Sequence, residues 1–171
     1  MILICRGKLA GHLSEKAIFR KNEQNNCIKI CLHSTMKGYL LKEQHFIAGE
    51  ETFVESSSSE NNYAVVFEDD TETGYFYAIE INKETGEQRV LDAVHIYEAE
   101  DIEPDKRPGI INIIWSKDWL KCGLLINNYC HAVFDFANHG GYCRNEFPPP
   151  NDIWTKGERK LTNEMVTEFF S

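Results

Sequence analysis

The sequence predicts a β-rich α+β domain, an antiparallel sheet or sandwich of about seven to nine short strands with short helices at the termini. Three observations carry this expectation. Short runs rich in β-branched and aromatic residues recur along the chain, separated by turn signals. Helix start signals stand only near the two ends. The 171 residues are 42% hydrophobic and 26% charged, the make-up of an ordinary globular domain.

Ile2 to Arg6 reads as a short strand, and Ser14 as the N-cap of a short helix, Glu15 to Lys21. A turn at Asn22 to Asn26 leads to a weakly alternating strand, Cys27 to His33. Residues 1–45 are expected to be an extension or small α/β appendage, and residues 46–171 the β-rich domain. In that domain Thr52 to Glu55 is a strand ended by the flexible, linker-like run Ser56 to Ser59. Tyr63 to Glu68 and Tyr75 to Ile81 flank an acidic turn, Asp69 to Gly74, and Lys83 to Gly86 turns the chain into Gln88 to Tyr97. After an acidic loop with Pro104 and Pro108 come strands at Gly109 to Trp115, Lys121 to Ile126 and Tyr129 to Phe136. Gly140-Gly141 reads as a turn and Pro148 to Pro150 as a rigid extended segment. Thr162 to Phe170 closes the chain as a helix, with Leu161, Met165 and Phe169 along one stripe.

The net charge of −9 is unevenly placed. Residues 50–105 hold 17 acidic side chains against two basic ones, Lys83 and Arg89, whereas the flanking segments are net positive. The acidic excess disfavours nucleic acid and anionic membranes as partners, and no apolar run approaches the ~20 residues of a membrane span. Arg6 and Lys8 interrupt the apolar start before a secretory core can form, so a cytoplasmic location with reduced cysteines is expected.

Asp69 to Glu80 has the spacing of an EF-hand loop, with Gly74 sixth and Glu80 twelfth. Threonines at the third and fifth positions and strands on both sides make it an acidic hairpin turn instead. Cys122, Cys130, His131, His139 and Cys143 match no zinc spacing. With Asn127-Asn128 as a two-residue turn, Cys122 pairs with Val133, Cys122 and His131 share a face, and Cys130 lies on the other. Asp135 then stands too far along the strand to orient His131. No metal and no cofactor is expected, and no P-loop, G-x-G-x-x-G, G-x-S-x-G or H-E-x-x-H is present.

Ala64 to Asp70 with Thr73 to Ala78, Val90 to Tyr97, Leu124 to Phe136, and Gly141 to Pro150 (Gly-Tyr-Cys-Arg-Asn-x-Phe-Pro-Pro-Pro) together resemble a family of small bacterial proteins classed only as a domain of unknown function. The resemblance spans about residues 46–171. It implies a bacterial, stand-alone soluble domain and supplies no activity, cofactor or catalytic residue.

The leading functional expectation is a non-enzymatic protein-binding or regulatory domain of inhibitor or immunity type, with a basic protein partner or a second copy of itself. Its expected contacts are Glu68, Asp69, Asp70, Glu72, Tyr75 and Tyr77 near the hairpin, together with His95, Asp135 and Arg144. One alternative is a small hydrolase or transferase pairing His95, His131 or His139 with Asp92 or Asp135. Another is a small-ligand binder with an aromatic groove around Trp115 and Trp154.

Overall fold

The computed structural model describes residues 18–21, 28–31 and 37–171. Its strands are β1 (Ile18–Lys21), β2 (Ile28–Cys31), β3 (Gly38–Ile47), β4 (Thr52–Ser57), β5 (Tyr63–Asp69), β6 (Thr73–Ile81) and β7 (Gln88–Glu98). β8 (Pro108–Trp115), β9 (Lys121–Ile126), β10 (Tyr129–Asp135), β11 (Gly140–Cys143) and one helix, α1 (Asn163–Phe169), follow. All strand pairings within the sheets are antiparallel, in a seven-stranded sheet ordered β1-β2-β3-β8-β9-β10-β11 and a four-stranded sheet ordered β4-β5-β6-β7.

The expected β-rich class is the observed one, with nine strands from Gly38 onward. The N-terminal helix is corrected: Ile18 to Lys21 is a strand, paired antiparallel with Ile28 to Cys31. Ser14 and the strand expected at Ile2 to Arg6 lie outside the described residues. β3 runs across position 45 and pairs with β8 along nearly its whole length. Gly140-Gly141 is not a turn but the start of β11, whose backbone pairs with Phe134 and Asp135.

The core lies between the sheets. Period-two alternation sends Val54, Val65, Phe67, Phe76, Ala78 and Val94 inward from the small sheet. Ile111, Ile113, Trp115, Leu124, Ala132 and Phe134 meet them from the large one. Phe76 and Phe134 stack across the gap at 5.1 Å, and Phe46 meets Phe67 edge-on at 5.8 Å. The serine run is not a plain linker. Ser56 is a buried residue of β4, and its Oγ accepts the Trp115 indole N–H at 3.0 Å.

A second cluster covers the outer face of the large sheet. Val166 and Phe170, with Leu161 just before α1, pack on Leu40, Ile114, Leu125, Cys130 and Val133. Thr162 caps the helix by accepting the Met165 N–H. The molecule is thus layered as helix, sheet, sheet. Among the described residues no helix is long and apolar enough to cross a membrane.

The β9–β10 hairpin turns on Asn127 and Asn128, both with positive φ (51° and 67°), the conformation of a two-residue type I′ turn. Its register differs from the expected one. A bulge at His131 shifts the pairing by one residue, so Cys122 faces Phe134 and Gly123 faces Val133. Cys122 and Cys130 still lie on opposite faces, in different clusters. Cys122 and Val133 no longer share a face, because one extra residue reverses every later side chain.

Candidate protein-binding face

Antiparallel sheets usually bury one face and wet the other, which alternates polar residues outward. The small sheet departs from that rule. In β6 the inward positions are Gly74, Phe76 and Ala78, and the outward ones are Tyr75, Tyr77, Ile79 and Ile81. Register adds Phe53 from β4, Ala64 and Val66 from β5, and Val90, Ala93 and His95 from β7. Ala64, Val66 and Ile79 form an outward cluster under Tyr77 and Ile81. Phe53 is 62% exposed and Val90 60%. Among the described residues no strand or helix lies over this face, in contrast to the large sheet under α1.

An aromatic row crosses it. Tyr77 and Tyr75 stack at 6.0 Å, Tyr75 meets His95 edge-on at 5.3 Å, and His95 meets Phe147 edge-on at 5.7 Å. The loop after β11 places Phe147, because its carbonyl accepts the His95 backbone N–H at 3.0 Å. Asn145 sets the tautomer of the neutral ring. Its Oδ1 already accepts from the Phe147 N–H and the Cys143 thiol, so its amide Nδ2 donates to His95 Nδ1 at 2.7 Å. The imidazole proton of the neutral ring therefore sits on Nε2, 3.0 Å from Glu98 Oε1 but not aligned for a hydrogen bond.

Carboxylates border the row. Glu68 lies between Phe53 and Tyr75 in the ladder, Glu55 opposite Val66, and Glu98 beside His95. Asp70 and Glu72 are exposed in the hairpin turn, where the Thr73 and Glu72 N–H groups hold the Asp70 carboxyl below its usual range. Burial of the Tyr77 ring and the neighbouring Glu68 carboxylate push its phenol up to about 12. Of the two cations in residues 50–105, Arg89 is paired to Glu80 at 2.6 Å.

The phenol gives a direct check on this geometry. Tyr77 is expected to ionise well above the ordinary tyrosine value of about 10 in an absorbance-monitored alkaline titration. Because the folded state resists the phenolate, its contribution to stability is present below pH ~10 and is lost as the pH rises toward 12. Glu68→Gln is expected to move the titration back toward 10. An unmoved midpoint would mean that Glu68 is not beside the ring.

Of the residues singled out in the sequence, Glu68, Tyr75, Tyr77 and His95 converge on this face, with Asp70 and Glu72 at its end. Asp69 does not present its side chain to a partner. It is 1% exposed and accepts hydrogen bonds from the Gly49 and Thr71 N–H groups and the Tyr97 hydroxyl, which hold the β4–β6 end together. Asp135 is buried and accepts from the Ala137 and Asn138 N–H groups of the β10–β11 turn. Arg144 lies over the Tyr129 ring at 4.7 Å and donates to Cys130 O, Leu161 O and Asn163 Oδ1, tying α1 to β10.

Among the described residues no histidine meets Asp92 or Asp135. Asp92 is paired with Arg159, Asp135 serves its own turn, and His139 stacks on Trp154 at 5.7 Å. Burial, with the Arg144 cation beside it, pulls His131 down to about 4. Burial likewise pushes the Cys122 and Cys130 thiols up, the latter to about 12. Trp115 and Trp154 are buried core residues. Among the described residues no group of His, Cys, Asp and Glu side chains could hold a metal ion.

Phe53, Glu55, Glu98, Asn145 and Phe147 were not foreseen as parts of the site. Alternation in Thr52 to Ser57 was enough to place Phe53 and Glu55 together opposite Val54. Asn145 and Phe147 had no local signal, since only the tertiary fold brings their loop to His95.

The family described as "Uncharacterized protein conserved in bacteria (DUF2251)" matches residues 46–170. A Haemophilus influenzae protein described as "Uncharacterized protein" is 34% identical over 131 residues, 75% of this chain and 79% of its own. No solved structure matches the chain.

Proposed function

The chain belongs to this family of bacterial proteins of unknown function, and with no activity to inherit from it we propose that the chain is a non-enzymatic binding or regulatory domain for a basic protein partner. One observation carries the reading: an outward sheet face of tyrosine, phenylalanine and isoleucine, bordered by carboxylates, over which no strand or helix lies among the described residues. A face that is apolar where solvent-facing residues are ordinarily polar is a surface built to be covered. Tyrosines supply contact area at low entropic cost, and a rim of one charge sign selects the partner and speeds its approach. Action in the cytoplasm accords with the buried free thiols of Cys122, Cys130 and Cys143.

A displayed random-peptide library tests the reading. The protein is expected to enrich sequences rich in lysine and arginine next to apolar residues. The double variant Glu68→Lys/Asp70→Lys should lose that enrichment, and Tyr77→Ala should weaken the selected peptides roughly tenfold or more. Enrichment of acidic or neutral peptides, or unchanged selection by both variants, would remove this function from consideration.

A further inference from the structure

β4 is the edge of the small sheet: it pairs with β5 on one side, and among the described residues no strand pairs with it on the other. Its ladder geometry can be read from one bond. Ser58 N–H donates to Tyr63 O, so position 58 is a hydrogen-bonded pair with position 63. In an antiparallel ladder such pairs alternate. Thr52, Val54 and Ser56 therefore direct their backbone groups to β5, and Phe53, Glu55 and Ser57 direct theirs outward. The same three residues turn their side chains to the solvent, whereas Thr52, Val54 and Ser56 are buried. A free backbone edge and an exposed Phe53 thus coincide on one strand.

Charge decides what that edge takes. Glu50, Glu51, Glu55 and Glu60 lie on or beside β4, and no lysine or arginine occurs between residues 43 and 82. Two copies joined edge to edge along β4 would bring these carboxylates against each other, which is the usual device against self-pairing. A basic strand meets no such penalty. Beside the start of β4 an open groove of about 730 Å³ is lined by Glu50, Glu51, Thr52, Gln44 and Phe46 among others, acidic room for a basic side chain continuing past the strand.

We infer that a basic, extended segment of the partner adds to the β4 edge as a further strand, with lysine or arginine against Glu55 and an apolar neighbour against Phe53. This rests on the basic-partner reading above and adds to it the backbone mode of recognition.

The probe is a short synthetic peptide, Lys-Thr-Val-Thr-Lys-Thr-Val, in which lysine and valine stand two residues apart and so share one face of the strand, titrated against the full chain. Glu55→Pro removes an outward N–H and a charge, and Glu55→Gln removes the charge alone. Ser57→Pro removes an outward N–H with no change of charge, and none of the three touches the β4–β5 ladder. Each proline variant is expected to weaken the peptide roughly tenfold, beyond any loss in Glu55→Gln. In the unaltered chain, bound peptide should slow hydrogen exchange at the Phe53, Glu55 and Ser57 amides. A peptide that is weakened by Tyr77→Ala, tolerates both prolines and protects none of these amides overturns strand addition and leaves the face reading standing. No binding to the unaltered chain overturns both. A dimer in sedimentation that either proline disperses would overturn the basic occupant in favour of a second copy.

Discussion

Asp92→Ala is expected to destabilise the fold by about 3–5 kcal/mol, because it leaves a buried guanidinium without its counter-charge. Arg159 Nη1 and Nη2 reach the two oxygens of Asp92 at 2.9 and 2.8 Å, and the side chains are 1% and 3% exposed. The pair joins β7 to the segment beyond β11, and the Thr155 hydroxyl and the Ala93 N–H also donate to the carboxylate. That inventory predicts an asymmetry. A carboxylate left by Arg159→Met keeps the Thr155, Ala93 and Asn151 donors, whereas a guanidinium left by Asp92→Ala keeps, among the described residues, the Gly141 carbonyl alone, 3.4 Å away. The arginine variant should therefore lose less, and Asp92→Leu/Arg159→Met should recover most of the loss. Urea midpoints at an unchanged m-value measure all three. A loss below roughly 1 kcal/mol for Asp92→Ala would show the pair to be hydrated. Gly141 belongs to the same arrangement, since a Cβ there would stand 2.7 Å from Asp92 Oδ2 and 2.9 Å from the Phe134 ring.

Trp115→Ala is expected to cost about 3–5 kcal/mol, for a wholly buried indole stacked on Phe136 at 5.7 Å and tilted against Trp119 at 6.2 Å. Ser56→Ala isolates the polar part of that contact. It strands the indole N–H in the core, at about 1–3 kcal/mol. In a double-mutant cycle Trp115→Phe should remove most of the Ser56→Ala penalty, because no donor then remains to be orphaned. Additive losses, or no loss in Ser56→Ala, would return the serine run to the role of linker. Against a total stability of roughly 5–15 kcal/mol, each of the two large changes threatens the fold by itself.

Strands were legible where period-two patterning and turn residues agreed. Tyr75 to Ile81 and the Asn127-Asn128 turn are of this kind, and each signal is contained in a handful of neighbouring residues. β3 and β11 were not. Gly38 to Ile47 carries Lys-Glu-Gln-His at positions 42–45, which lacks a strand's usual composition, and it is a strand because β8 pairs along it. Gly140-Gly141 reads locally as a turn and is extended because β10 supplies partners. The bulge at His131 was illegible for a like reason: one extra residue leaves no mark in composition. In the site, the cluster of acids and tyrosines was visible as a charge and aromatic bias, while burial was not. Asp69 and Asp70 are adjacent and chemically identical, yet one is enclosed by Gly49, Thr71 and Tyr97 and the other is exposed.

The bond between Asp92 and Arg159 also sets a clock on synthesis. Its partners are 67 residues apart, and the chain emerges N-terminus first. At roughly 5–20 residues per second the Asp92 carboxylate waits about 3–13 s after its own translation for the guanidinium that neutralises it. Until then the Asp92 carboxylate lacks its counter-charge, so the small sheet and the stretch that supplies Thr155, Arg159, Leu161 and Phe170 are expected to become stable together, once that stretch has emerged.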